Sequence, residues 1–145
     1  MASAVVAATP VTVPADAGWI STGITVSAGQ ALTISSRGYV ITAPIPNFHR
    51  PGEFKSASGP AGQTTESTCG AVEASLPPEI LAITGPCALG DAYFGELIGR
   101  VGTTTFRIGA SDVITAPAAG VLELAVNDLA NTYGDNAGTF IVLFR

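Results

Sequence analysis

The sequence predicts an all-β fold, an antiparallel β-sandwich, and three observations carry that expectation. Glycine (17) and proline (10) punctuate the whole chain. The runs between them are short and rich in Val, Ile and Thr, residues that suit a pleated, half-buried surface. Several runs alternate apolar and polar side chains, so one face of each strand meets a core and the other meets water. Two such sheets packed face to face make a sandwich, and helix is expected to be scarce.

The strands follow in order. Val11–Val13 lies between Pro10 and Pro14, and Trp19–Val26 begins directly after Gly18. Ala31–Ile41 follows Gly29, with Leu32, Ile34 and Ser36 on one face. Glu96–Val101 and Thr104–Ile108 flank Gly102, and Asp112–Thr115 follows Gly109. Val121–Val126 sets Leu122, Leu124 and Val126 against Val121, Glu123 and Ala125, and Thr139–Phe144 follows Gly138. The stretch from Pro44 to Gly90 behaves differently, with Pro46, Pro51, Pro60, Pro77, Pro78 and Pro86, many small polar residues and no sustained period. It reads as a long Pro-rich loop excursion, and loops of that length are usually functional or disordered. The 145 residues therefore form one expected domain, residues 1–145, with 44–90 as the excursion.

Composition excludes several function classes. Hydrophobic residues make up 47% of the chain and charged residues 12%, which rules out a disordered polymer. Six Lys+Arg against 11 Asp+Glu give a net charge of -5, which repels nucleic-acid phosphates and anionic membranes alike. Gly, Pro, Ser and Thr interrupt every apolar segment, so no transmembrane helix is expected. Met1–Thr9 has no Lys or Arg and only a short hydrophobic part, unlike a secretory signal. The expectation is a cytoplasmic pool with extracellular or cell-surface action. A low-charge surface of this kind is safer buried between copies, so a homo-oligomer is expected.

Cys69 and Cys87 bracket a Pro-containing segment, and two readings fit them: a bridge worth about 2 to 4 kcal/mol, or two separate buried thiols. With no CxxC and His49 the sole histidine, they do not read as a zinc site. The chemistry concentrates instead between the last two strands, read as a hairpin with an overlong loop. Asn127, Asp128, Asn131, Thr132, Asp135 and Asn136 supply hard oxygen donors, with no basic residue among them. Calcium takes about 6 to 8 such oxygens. Asp128 at the strand end and the Asp135–Asn136 pair converge if the loop folds back, and Gly134 and Gly138 permit the turn. The same residue types also build ordinary polar turns, and the spacing is not that of an EF-hand.

The segment Asn127-Asp128 … Thr132-Tyr133-Gly134-Asp135-Asn136-Ala137-Gly138-Thr139-Phe140 resembles the ND…TYGNNSGSF stretch of the small calcium-dependent galactophilic bacterial lectins of the LecA type. Gly29-Gln30-Ala31-Leu32-Thr33-Ile34 … Gly38-Tyr39 is similar to that family's G-D-x-(I/V)-T-I … G-W, and Asp91 to Gly102 is similar to its D-A-F-C-G-A-L-V-x-x-I-G strand. The resemblance implies a jelly-roll-like, galactose-binding-domain-like sandwich, usually oligomeric, in which Ca2+ coordinates two neighbouring sugar hydroxyls. It implies that Asp128, Asp135 and Asn136 give side-chain oxygens to the metal, and that Thr132 and Thr42 give main-chain carbonyls. Asp135 stands where the family has Asn, which keeps the oxygen and adds a charge.

The family also places a His and a Gln just before its D-A-F segment to hold the sugar's exocyclic hydroxyl. The corresponding stretch here, Ile83 to Gly90, has neither. His49 and Gln63, in the unmatched excursion, are the candidates to fold over the site, and Tyr133 is the candidate to stack on the sugar or to prop the loop. Asp128 and Asp135 would also accept hydrogen bonds from the sugar hydroxyls. An enzyme reading finds little support: there is no GxSxG elbow, and Glu96 and Glu123 read as solvated charges on strand faces. The alternative to a lectin is a structural protein that uses the same sandwich to assemble.

Overall fold

The structure is a computed structural model that describes residues 10–42, 56–65 and 67–144. Met1–Thr9, His49 and the side chain of Asp135 lie outside what is described. In chain order the elements are β1 (Val11–Pro14), β2 (Ile20–Val26), β3 (Ala31–Thr42), β4 (Ser56–Ser58), α1 (Cys69–Ser75), α2 (Pro78–Thr84), β5 (Leu97–Val101), β6 (Thr104–Arg107), β7 (Val113–Thr115), β8 (Gly120–Val126) and β9 (Ala137–Phe144). One sheet runs β1-β9-β3-β4, with β7 also pairing with β3; the other runs β2-β8-β5-β6. All pairings are antiparallel. The fold is an all-β sandwich.

The period-two alternation decides which side chains meet between the sheets. Leu32, Ile34 and Val40 of β3 join Phe140, Val142 and Phe144 of β9 on one inner face, against Leu122, Leu124 and Val126 of β8 and Leu97 and Val101 of β5 on the other. Each contributes about 1.5 to 3 kcal/mol by leaving water. Gly38 (φ 113) and Gly138 (φ 89) sit within the long β3–β9 ladder at positive φ. A Cβ on Gly138 would strike the Tyr39 carbonyl oxygen, and one on Gly38 the Thr139 carbonyl oxygen, so no larger residue fits.

Two features differ from the sequence reading. β8 and β9 do not form a hairpin: β8 pairs with β2 and β5, while β9 pairs with β1 and β3. Alternation shows that a strand is half-buried but not which sheet it joins, and the overlong loop is what crosses the roughly 10 Å between layers. The second difference lies inside the Pro-rich stretch, where α1 and α2 form. The Thr68 hydroxyl caps α1 by accepting from Ala71 N, and Pro78 opens α2 at a position that needs no N–H. Both are too short for a helical period to show in the sequence. They pack Cys69, Val72 and Leu76 with Leu129 into a small cluster separate from the main core, and Cys69 and Cys87 are bridged.

Candidate functional site

The loop between β8 and β9 begins with two buried polar residues that the structure uses differently. Asn127, 0% exposed, is committed to main chain: its Oδ1 accepts from Leu89 N (2.9 Å), and its Nδ2 donates to the carbonyls of Leu89 (2.9 Å), Ala92 (3.2 Å) and Tyr93 (3.1 Å). It is a staple for residues 89–93, not a donor aimed outward.

Asp128, 2% exposed, accepts from Leu129 N at Oδ1 (2.8 Å) and from Asn136 Nδ2 at Oδ2 (2.7 Å). Asn136 Nδ2 also donates to Ala15 O (3.1 Å), which fixes the orientation of the amide. Thr132 is buried, and its hydroxyl and its N–H both donate to Leu129 O at 3.0 Å, turning the chain back. A 3-10 turn over Tyr133–Asp135 then delivers the chain to β9, with Asn136 N donating to Tyr133 O (3.0 Å).

Thr42 ends β3, and because Ile41 pairs with Ala137, the next position in the register sets Thr42 beside Asn136. Its hydroxyl accepts from Gln63 Nε2 at 2.7 Å, while Gln63 N donates to Phe94 O (2.9 Å). Thr42, Gln63, Asp128, Thr132 and Asn136 therefore gather at one end of the sandwich, where β3, β8 and β9 meet. The Tyr133 ring is half-buried, and its buried hydroxyl has no hydrogen-bond partner among the described residues. Burial, and then the Asp128 carboxylate, push its pKa well above the usual tyrosine value, opposed by the Asp128 main chain and by Arg100.

The strip that carries this loop was not legible in the sequence. Cys87 and Leu129 form an isolated antiparallel bridge. Around it Ala130 N donates to Pro86 O (2.8 Å), Asn131 N to Thr84 O (2.8 Å) and Ala88 N to Asp128 O (3.0 Å). Only the two cysteines hinted that the excursion was pinned.

The donor chemistry fits a hard divalent cation. Carboxylate, amide and main-chain carbonyl oxygens are what such a cation prefers; no group of three or more His, Cys, Asp or Glu that could hold a metal ion of any kind gathers among the described residues. Elsewhere, Glu96 and Glu123 are not a pair facing a cleft. Glu96, 2% exposed, takes a two-pronged contact from Arg107 (3.0 and 2.9 Å), and Glu123 takes one from Arg100 (3.0 and 3.1 Å), so each is neutralised separately. No described helix is long and apolar enough to cross a membrane.

No family model and no curated protein matches the chain. Among solved structures, the N-terminal domain of EclA, a PllA-like lectin, superposes with a TM-score of 0.61 at 24% identity, covering 95% of each chain. The two share the sandwich fold over nearly their whole lengths.

Proposed function

We propose that this chain is a calcium-dependent carbohydrate-binding protein that favours galactose-type sugars. The observation that supports it best is the buried contact in which the Asn136 amide nitrogen donates to the Asp128 carboxylate, tying the start of the β8–β9 loop to its end, in a fold shared with a domain named as a lectin. Asp128, Asp135 and Asn136 would hold the ion through side-chain oxygens, and Thr132 and Thr42 through main-chain carbonyls. When bound, the ion supplies positive charge and open coordination positions to a vicinal diol.

The chain's own residues do the rest. Asp128 and Asp135 accept hydrogen bonds from the sugar hydroxyls, the Asn136 amide and the Thr132 turn keep the loop in shape, and Gln63, seated on Thr42, offers its amide to an exocyclic hydroxyl. His49 is the further candidate for that contact, and Tyr133 presents the exposed part of its ring. Modest single-site affinity would gain avidity from display of several copies.

The test is calorimetric titration of calcium into metal-stripped protein, followed by galactosides and a wider glycan panel with and without calcium. Calcium-dependent sugar binding that disappears in Asp128→Asn supports the proposal; no calcium uptake overturns it. One observation favours assembly as a second reading: Tyr39 (73% exposed) and Ile141 (36%) share the outer face of the β3–β9 ladder. Calcium uptake without sugar, together with dimers or larger species that Tyr39→Ser dissolves in sedimentation, would favour it.

A further inference from the structure

Residues 84–89 make their hydrogen bonds to the donor loop, while Ala88 and Leu89 also pack against Ala92, Ile98 and Ala125. The Asn131, Ala130 and Ala88 bonds described above run between this strip and residues 128–131, and Leu89 N donates to the Asn127 side chain. The strip is thus the template on which the main chain of Asp128 is laid. It is anchored to α1 twice: covalently through Cys87 to Cys69, and by Cys87 N donating to Glu73 Oε1 at 2.8 Å. The apolar cluster beneath it, Cys69, Val72, Leu76 and Leu129, is small and distinct from the main core. Cys69 is fully buried while Cys87 is half-buried, so of the two cysteines Cys87 is the more open to an incoming thiolate.

We propose that the Cys69–Cys87 bridge is a redox latch on the donor loop. Closed, it holds the 84–89 strip and keeps residues 127–131 ordered; opened by a dithiol reductant, it loosens both segments and weakens cation binding while the sandwich stays folded. In the opening step one thiolate of the reductant attacks Cys87 Sγ, and the S–S bond breaks toward Cys69, which leaves as a thiolate and takes a proton. The second thiol then displaces Cys87 from the mixed disulfide. The reductant ends as a cyclic disulfide and the protein as two thiols, a transfer of two electrons and two protons. The bridge spans a sequence separation of 18, so opening it returns chain freedom to this strip first.

The affinity part of this inference rests on the calcium reading; the ordering part does not. The experiment compares the full chain before and after treatment with dithiothreitol, the two-thiol state being verified by mass, using amide hydrogen exchange and calcium titration. Opening the bridge is expected to speed exchange about tenfold or more in residues 84–89 and 127–132, to weaken calcium binding by a similar factor, and to leave β3 and β9 unchanged. A Cys69→Ser, Cys87→Ser double variant should match the reduced chain and ignore the reductant. Unchanged exchange in the two segments with the bridge open overturns the latch, and so does a uniform acceleration that includes β3 and β9. If the closed chain takes up no calcium, the calcium reading fails, and exchange alone supports or overturns the latch.

Discussion

Asp128 follows β8 and Asn136 precedes β9, strands of opposite sheets, and the amide nitrogen of Asn136 meets the carboxylate of Asp128 at 2.7 Å. The contact closes the loop on itself at the end of the sandwich. It also means that the carboxylate is buried and hydrogen-bonded before any ligand arrives, so less ordering remains to be done on binding.

On the calcium reading, saturating calcium should raise the melting temperature of the wild-type chain by about 5 °C or more, because an ion that binds only the folded state stabilises it by mass action. Asp128→Asn should abolish that rise. A rise that persists in the variant would remove Asp128 from the set of ligands.

Asn127→Ala should cost about 1 to 3 kcal/mol in urea unfolding, since it leaves the half-buried Leu89 N without its acceptor and takes one of two donors from each of the Leu89, Ala92 and Tyr93 carbonyls. Asn131→Ala, at an exposed position, should cost about 0.5 kcal/mol or less. Equal costs would mean that residues 89–93 are held by something other than Asn127.

The two arginine–glutamate pairs should behave unequally. Arg107→Ala leaves Glu96 buried without its cation, and a loss of about 2 to 3 kcal/mol is expected. Arg100→Ala breaks a pair with side chains 30% and 28% exposed and removes a cation stacked 4.4 Å from the Trp19 ring, a loss of about 1 kcal/mol. Urea midpoints of the two variants settle the order.

Tyr133 makes a prediction about alkaline pH. Its pKa in the folded chain is raised, so its contribution is intact below the ordinary tyrosine value of about 10 and is lost as pH climbs from there toward the raised folded value. Tyr133→Phe should therefore flatten the alkaline loss of stability. It should also be neutral or slightly stabilising at pH 7, because the hydroxyl has no partner to lose among the described residues. A clear loss at pH 7 would show that the hydroxyl is held by a buried water.

Much of the sandwich was legible because burial on one face writes itself into the sequence as alternation: Leu122, Leu124 and Val126 of β8, and Leu32 and Ile34 of β3, face the core as their spacing predicts. Sheet membership was not legible, since Val121–Val126 and Thr139–Phe144 carry the same pattern whether they pair with each other or with different partners. At the site, Asp128 and Asn136 were visible as oxygen donors, but the role of Asn127 was not, because its acceptors and donors are main-chain groups far away in sequence. Thr42 and Gln63 were singled out separately, and their hydrogen bond depends on a chain path through the Pro-rich stretch that carries no periodic signal. α1 and α2 were missed for the same reason.

The place of β9 between β1 and β3 has a consequence for how the protein is made. β2, β5, β6 and β8 all precede residue 127, so one layer is complete while the ribosome is still adding the rest. The other layer lacks its middle strand until residues 137–144 emerge, and until then β1 has no sheet partner among the described residues and β3 presents an open edge to any passing strand. A nascent chain stalled in the β8–β9 connection would therefore be half a sandwich with its apolar interior uncovered, and that is the stage at which a chaperone matters most.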